Sequence, residues 1–494
     1  MNKNLLKQRP FIWAASFVLA LAFALVFYAF TTPLGPSIGS DNAIYMTLGT
    51  ALANGYAPYT DIFDHKGPLL FVLQWIPQAI SGGYSTMAIF VQQVLFLFGC
   101  LLVIAEISKQ FGVSALPVQL AYLALICKHT GGGNLTEEYA NLFTLLGLWL
   151  MICTFKNGVP QHIKGIFLRA GALGALTAVC FLIRANNALV LCAMTLAAAL
   201  MIGVKRRFDV LLCCAGGFVL GLVVIFVPVI IWLAANGALG ESIYGSIIHN
   251  MMYSETGGGS RKQMLLHDAY GHAALLMAAL SFFGFLVLIK KNPLLFAAGA
   301  AGACAGLLAA FISHKFYAHY LILGAPLATV GVCLLISAAK RMKKQAAACV
   351  ILSVAVFSCG WLFARGQETN RWRLSETNGL DEFTVHAQEL YEMVPLEERD
   401  RFMAYRAEPK WYVAAEALPC MRFFFLQETL AQADPAVMDE IVDTFEMDPP
   451  KWLVIYYNRE FGPPYDARVA EIFASEYEFV DARGQYQLLK HKDE

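Results

Sequence analysis

Residues 11–30 read FIWAASFVLALAFALVFYAF, twenty residues without a charge. A helix of that length is about 30 Å long, the thickness of a bilayer's hydrocarbon core. The block is too long for the core of an ordinary signal peptide and lacks a clear small-residue cleavage site. It therefore reads as a retained membrane helix. The rest of the chain repeats the pattern. Of 494 residues 58% are hydrophobic and the mean hydropathy is +0.56, where soluble domains run at about 45–50% apolar. That excess argues against a single water-soluble core. Eleven spans are predicted, at 11–31, 86–106, 114–128, 139–155, 167–183, 187–204, 209–235, 271–290, 294–312, 319–338 and 346–364.

Charge divides the chain. Residues 1–365 hold only ten acids, whereas residues 366–494 hold twenty-six acidic and thirteen basic side chains, a net charge of −13. We expect a polytopic membrane domain over 1–365 and a soluble acidic domain over 366–494. In the tail, RFMAYRA and KWLVIYY read as strands, 433–446 and 465–475 as helices, and 477–490 as a hairpin, which predicts a small α/β domain. The formal net charge of zero hides this asymmetry, and no nucleic-acid partner is expected. Most of the twelve cysteines sit inside apolar spans, where they act as small packing residues.

Orientation follows from Lys and Arg near the span ends. With the N-terminus cytoplasmic, sixteen of these residues in 1–365 fall on the inside, among them Lys205–Arg207 and Lys340–Lys344, and seven fall outside. Eight of the ten acids fall outside. An odd number of spans then places the tail outside. The polar chemistry gathers on that face, and the protein is expected to be multi-pass in a bacterial plasma membrane.

The outer clusters carry the candidate chemistry. Between Ser40 and Pro68 lies SDNAIYMTLGTALANGYAPYTDIFDHKGP. Ser40 can cap a helix over about 42–53, Asn54-Gly55 can end it, and Ile44, Leu48 and Leu52 share a face that suits the membrane surface. Asp41 falls in the first turn, where the helix dipole favours an ionised carboxylate able to act as a base; supporting the helix start is the simpler role. Pro68 opens a second short helix, with Asp64, His65 and Lys66 at its mouth. His65 and Lys66 can donate to phosphate or a sugar hydroxyl, and Asp64 can accept from one; a local Asp64–Lys66 ion pair is the alternative.

KHTGGGNLTEEYAN follows at 128–141. Asn134 and Glu137 have capping-box spacing, which offers Glu137 a structural role, while Glu138 has no such local role. Together the two carboxylates can hold an acceptor hydroxyl or a divalent cation; no cofactor is demanded by the pattern. In FLIRANNALV, Arg184 beside Asn186 and Asn187 either grips a lipid phosphate or snorkels to headgroups. The glycine-bearing loop around SETGGGSRKQM carries Arg261 and Lys262 and reads as a lid or a spacer. In HKFYAHY, Lys315 can bind phosphate, and His319 and Tyr320 can line a sugar site or simply anchor the interface.

Taken together, Asp41, GYAPYTDIFDHKGPL, GGGNLTEEY, FLIRANN and FYAHYLILGAP resemble bacterial GT-C glycosyltransferases, in the branch of protein O-mannosyltransferases and the lipid A aminoarabinose transferase. The likeness covers about residues 10–365. It implies a polyprenyl-phosphate sugar donor, a cell-envelope acceptor (glycan, lipid or protein) and inversion at the anomeric carbon. It also implies that Asp41 is the base or orients the acceptor, with Glu138 or Glu137 as the second acid. Many relatives carry a second acid directly after the first; here Asn42 stands there. Two other functions fit a polytopic chain: a lipid or polysaccharide transporter, and a nonenzymatic envelope-assembly protein. A transporter would carry its charges at the bilayer midplane, whereas here they gather on one face.

Overall fold

The computed structural model describes residues 3–35, 39–163, 165–255, 260–313, 315–342, 344–456 and 466–492. In chain order the helices are α1 (Lys3–Phe27), α2 (Ser40–Ala53), α3 (Pro68–Ser81), α4 (Thr86–Gln110), α5 (Ala115–Ile126), α6 (Thr136–Phe155), α7 (Ile166–Ile183), α8 (Leu189–Val204) and α9 (Phe208–Ala235). Next come α10 (Leu239–Ile243), α11 (Asn250–Glu255), α12 (Arg261–His267), α13 (Ala269–Leu286), α14 (Pro293–Phe311), α15 (Ala325–Met342) and α16 (Lys344–Glu392). The tail adds β1 (Phe402–Tyr405), α17 (Lys410–Ala415), α18 (Gln427–Ala433), α19 (Ala436–Met447), β2 (Trp452–Tyr456), α20 (Ala467–Glu476), β3 (Tyr477–Arg483) and β4 (Tyr486–His491).

All eleven predicted spans are helical. Among the described residues ten helices are long and apolar enough to cross a membrane. The eleventh, α5, has 12 residues, about 18 Å of rise, too little to cross a bilayer core by itself. It stops because Cys127–Gly133 turns sharply, with Gly131, Gly132 and Gly133 all at positive φ.

The chain forms two compact units. The first comprises Met1–Thr32, Phe90–Ile230 and Gly258–Arg371; the second comprises Pro33–Ile89, Ile231–Gly257 and Trp372–Glu494. The charge step at 365/366 lies six residues before the last boundary between the units, Arg371/Trp372. It falls inside α16, and the second unit also takes the acid-rich stretch 33–89.

The first unit is a helical bundle around Phe23, Leu101, Leu145, Leu191, Leu294 and Ile336, all buried. Small residues let its helices approach closely. A Cβ at Gly221 would collide with the backbone of Gly171, and one at Gly174 with that of Phe218, so α7 and α9 touch backbone to backbone.

In the second unit the sheet order is β1-β2-β4-β3. β1 and β2 run parallel, with Phe402 opposite Trp452, while β4 is antiparallel to β2 and to β3. Trp411, Tyr405, Phe424 and Leu453 fill its core. The predicted strands, helices and hairpin of the tail are all present. Segments distant in sequence are tied together here: Tyr56 donates to the Pro419 carbonyl at 3.1 Å, Tyr84 to the Ala417 carbonyl at 2.8 Å, and Arg422 pairs with Glu241 and Glu440.

Two local expectations change. Ser40 does not cap α2: Gly39 occupies the cap position, with no side-chain hydrogen bond, and Ser40 is already helical. The Ile44–Leu48 face does not lie on a membrane, because Asn42–Ala51 is buried throughout. Gly49 allows this, since a Cβ there would meet the backbone of Gln74 in α3.

Candidate active site

In the first unit the site is built from three chain breaks between apolar helices. The loop before α6 carries four successive residues at positive φ, Gly131 to Asn134. Gly132 lies against the Phe30 ring and Gly133 against Tyr28 and Gln93, contacts a Cβ would forbid. Asn134 accepts from Tyr139 Oη at 2.5 Å. This loop delivers Glu137 and Glu138 on the first turn of α6, where the helix dipole stabilises carboxylates.

The two acids take the opposite roles from those their spacing suggests. The helix starts one residue later than an Asn134 cap would require. Glu138 therefore reaches back to its own turn, accepting from the Leu135 backbone N–H at 3.2 Å and from Gln93 Nε2 at 3.5 Å. Gln93 is held in turn by Thr31, whose hydroxyl donates to Oε1 at 2.6 Å. Glu137 is freed from capping and accepts from Arg184 Nη1 at 2.8 Å. The adjacent carboxylates thus engage different partners through one oxygen each, which leaves Glu137 Oε2 and Glu138 Oε1 buried without a hydrogen-bond partner among the described residues. Among the described residues no three His, Cys, Asp or Glu side chains converge as metal donors.

Arg184 sits at the end of α7 and is 6% exposed, so it does not snorkel. Its Nη2 donates to Tyr320 Oη at 2.8 Å, and its guanidinium lies 4.6 Å from the Tyr320 ring centre. Asn187 donates to the Thr136 carbonyl at 3.2 Å, tying this break to the start of α6. His319 packs edge-on against Tyr320 at 4.7 Å and is within electrostatic reach of Glu137. Glu137 Oε2 and Asn187 Oδ1 are buried acceptors with no hydrogen-bond partner among the described residues. Such atoms are costly unless something polar meets them.

Arg261 plays a structural part. Its guanidinium donates to the Phe311 and Ile312 carbonyls, both at 2.9 Å, and so caps the end of α14. Lys262 is exposed on α12. Lys315 is half-buried, and burial draws its ammonium below the ordinary value. Residues 256–259 of the glycine-bearing loop and His314 lie outside the described residues.

In the second unit Asp64, His65 and Lys66 are all buried. Asp64 Oδ1 accepts from the Lys66 backbone N–H at 2.8 Å and lies 3.5 Å from Lys66 Nζ. The local ion pair is therefore real. Burial lifts the Asp64 carboxyl above its usual range, while Lys66 pulls against that shift. Tyr59 Oη donates to the Lys66 carbonyl at 2.7 Å, and Lys66 Nζ lies 5.4 Å from the Tyr45 ring centre. Asp41 is partly exposed on the first turn of α2, within electrostatic reach of Asp64.

The sequence reading missed Gln93, His249 and Tyr253. His249 is fully buried, and its ring lies 6.3 Å from that of His65, with Tyr253 closer at 4.9 Å. The polar pair Gln92-Gln93 inside an apolar helix was a usable signal for the first. No spacing pointed to the other two.

No protein-family model matches the chain, and no curated protein sequence matches it closely. Solved structures do. ArnT from Cupriavidus metallidurans, bound to undecaprenyl phosphate, superposes with a TM-score of 0.63 at 15% identity, covering 96% of this chain and 97% of that one. Its apo form gives 0.59 at 13% identity over the same shares. The archaeal oligosaccharyltransferase AglB from Archaeoglobus fulgidus, in complex with an inhibitory peptide and a dolichol-phosphate, gives 0.50 at 10% identity, over 91% of this chain and 70% of that one. The chain therefore has the GT-C membrane fold, with a small α/β sheet domain at its C-terminal end.

Proposed function

We propose that this protein is an integral-membrane glycosyltransferase that moves a sugar from a polyprenyl-phosphate donor to a cell-envelope acceptor at the extracytoplasmic face of a bacterial plasma membrane, with inversion. The observation that carries the reading is the fold shared over 96% of the chain with ArnT bound to undecaprenyl phosphate. The polar clusters support it, since each offers groups the reaction needs.

Asp41 takes the proton of the acceptor hydroxyl as its oxygen attacks the anomeric carbon. The bond from that carbon to the phosphate oxygen breaks, and the lipid phosphate leaves with the electron pair. Lys66 and His65 stabilise the departing charge, with Asp64 fixing the Lys66 backbone and ammonium. Within the first unit Glu137 and Asn187 offer buried oxygens that can accept substrate hydroxyl hydrogens, Arg184 holds Glu137 in place and bonds Tyr320 with its other nitrogen, and His319 packs beside Tyr320. Within the first unit Lys315 and Lys262 offer positive charge to an anionic substrate group.

The test is purified protein in nanodiscs with a panel of labelled polyprenyl-phosphate sugars and envelope acceptors. Sugar transfer is expected, and Asp41→Asn should cut turnover by about 10²–10⁴-fold with donor binding retained. A fully active Asp41→Asn protein would reject the assignment of the base. Lipid movement across the bilayer without sugar transfer would replace the reading with a transporter.

A further inference from the structure

Within the first unit a cavity of about 560 Å³ opens between α5, α13, α15 and α16, in the size range of small-ligand sites, roughly 300–1,000 Å³. None of the residues described above as the candidate active site lines it. Its polar and apolar linings are sorted along the helices. At one end stand Lys128 and His129, just past the end of α5, and His272, on the first turn of α13. Further along α13 come Leu276 and Leu280, about 6 and 12 Å deeper by helical rise. Val332 of α15 and Val354 of α16 face them. Leu276 and Phe357 are 54% and 70% exposed, so this wall opens sideways from a bundle whose outside is hydrocarbon.

The polar end has the character of an anion site. Among the described residues no acid lines the cavity. The nearest carboxylate along α13, Asp268, is engaged in capping that helix through the Tyr270 N–H at 2.7 Å. Lys128 is exposed. Arg365 stacks on Trp361, a lining residue, at 4.3 Å and is paired with Glu368. His129 is 7% exposed, lines the cavity, and its Nδ1 has no hydrogen-bond partner among the described residues. A buried imidazole nitrogen left in that state is costly unless a ligand meets it.

We propose that this cavity binds an anionic bilayer phospholipid, with the headgroup phosphate on Lys128 and His129 and one acyl chain along Leu276, Leu280, Val332 and Val354. An anionic headgroup fits because Lys128 stands at the mouth and no acid lines it, and lipid is the amphiphile that meets an opening in the wall of a membrane bundle. The volume suits a single aliphatic chain better than the long tail of a polyprenyl lipid.

Native mass spectrometry of the full chain tests this, using nanodiscs of phosphatidylglycerol or phosphatidylcholine. One phosphatidylglycerol should survive detergent exchange, and phosphatidylcholine should not. Lys128→Gln, at an exposed position, should weaken retention roughly fivefold, the weight of one lysine near an anionic lipid surface. Leu276→Trp should abolish it by filling the chain path. Equal retention of both lipids, or of phosphatidylglycerol by all three proteins, would overturn the proposal. Displacement of phosphatidylglycerol by polyprenyl phosphate would also overturn it and assign the cavity to the donor's path.

Discussion

Arg184 and Glu137 meet at 2.8 Å with both side chains buried, 7% and 1% exposed. They come from the end of α7 and the start of α6, 47 residues apart. Removing one partner strands the other charge, which typically costs about 3–5 kcal/mol. Arg184→Gln should therefore destabilise the protein by about that much in thermal unfolding, and Glu137→Gln added to it should restore part of the loss. Arg184→Lys should recover little, because one ammonium cannot serve Glu137 and Tyr320 as the planar fork does. Simple additivity of the two Gln changes would show that the pair is not coupled.

Glu138 should behave differently from Glu137. Its carboxylate completes the first turn of α6, so Glu138→Ala should cost about 1 kcal/mol, the usual value of a helix cap. Glu138→Gln keeps an acceptor oxygen for the Leu135 N–H and should leave both stability and turnover close to those of the parent. A fall in turnover of about 10²–10⁴-fold in Glu138→Gln would instead mark it as the acid–base group.

His129 predicts an acid sensitivity. Burial first, and then Lys128, lower its imidazole from 6.5 to about 4. The unfolded chain therefore binds the proton more readily than the folded one. The stability this neutral histidine contributes is complete above pH 6.5 and is lost as pH falls through about 4. The difference reaches about 3 kcal/mol by pH 4. Melting curves from pH 7 to pH 4 should show a shallower decline for His129→Gln than for the parent protein. Identical slopes would mean that His129 does not titrate in this way.

Orientation is tested by labelling. In a cysteine-free background, Asp443→Cys on α19 and Lys205→Cys at the end of α8 are both exposed positions. A membrane-impermeant maleimide should modify the first in intact cells and the second only after permeabilisation. The reverse pattern would invert the topology inferred from the positive charges.

Much of the architecture was legible in the chain because a bilayer is a demanding solvent. A segment that crosses it must be long, apolar and helical, so the spans stood out one by one. The strands and hairpin of the tail stood out by their β-branched and aromatic runs between turn residues. Local chemistry also fixed Pro68 at the start of α3 and the glycine turns before α6. What the sequence left undecided was which polar group meets which. A one-residue shift in the start of α6 exchanged the roles of Glu137 and Glu138. Arg184, placed by its neighbours between a phosphate and a headgroup, found its partners 47 and 136 residues away. Arg261 went to the end of a helix, and His249 came to His65 across most of two hundred residues. Periodicity reports burial, which is a property of one segment at a time. Ion pairs and shared cavities depend on how segments cross, and only the tertiary packing sets that.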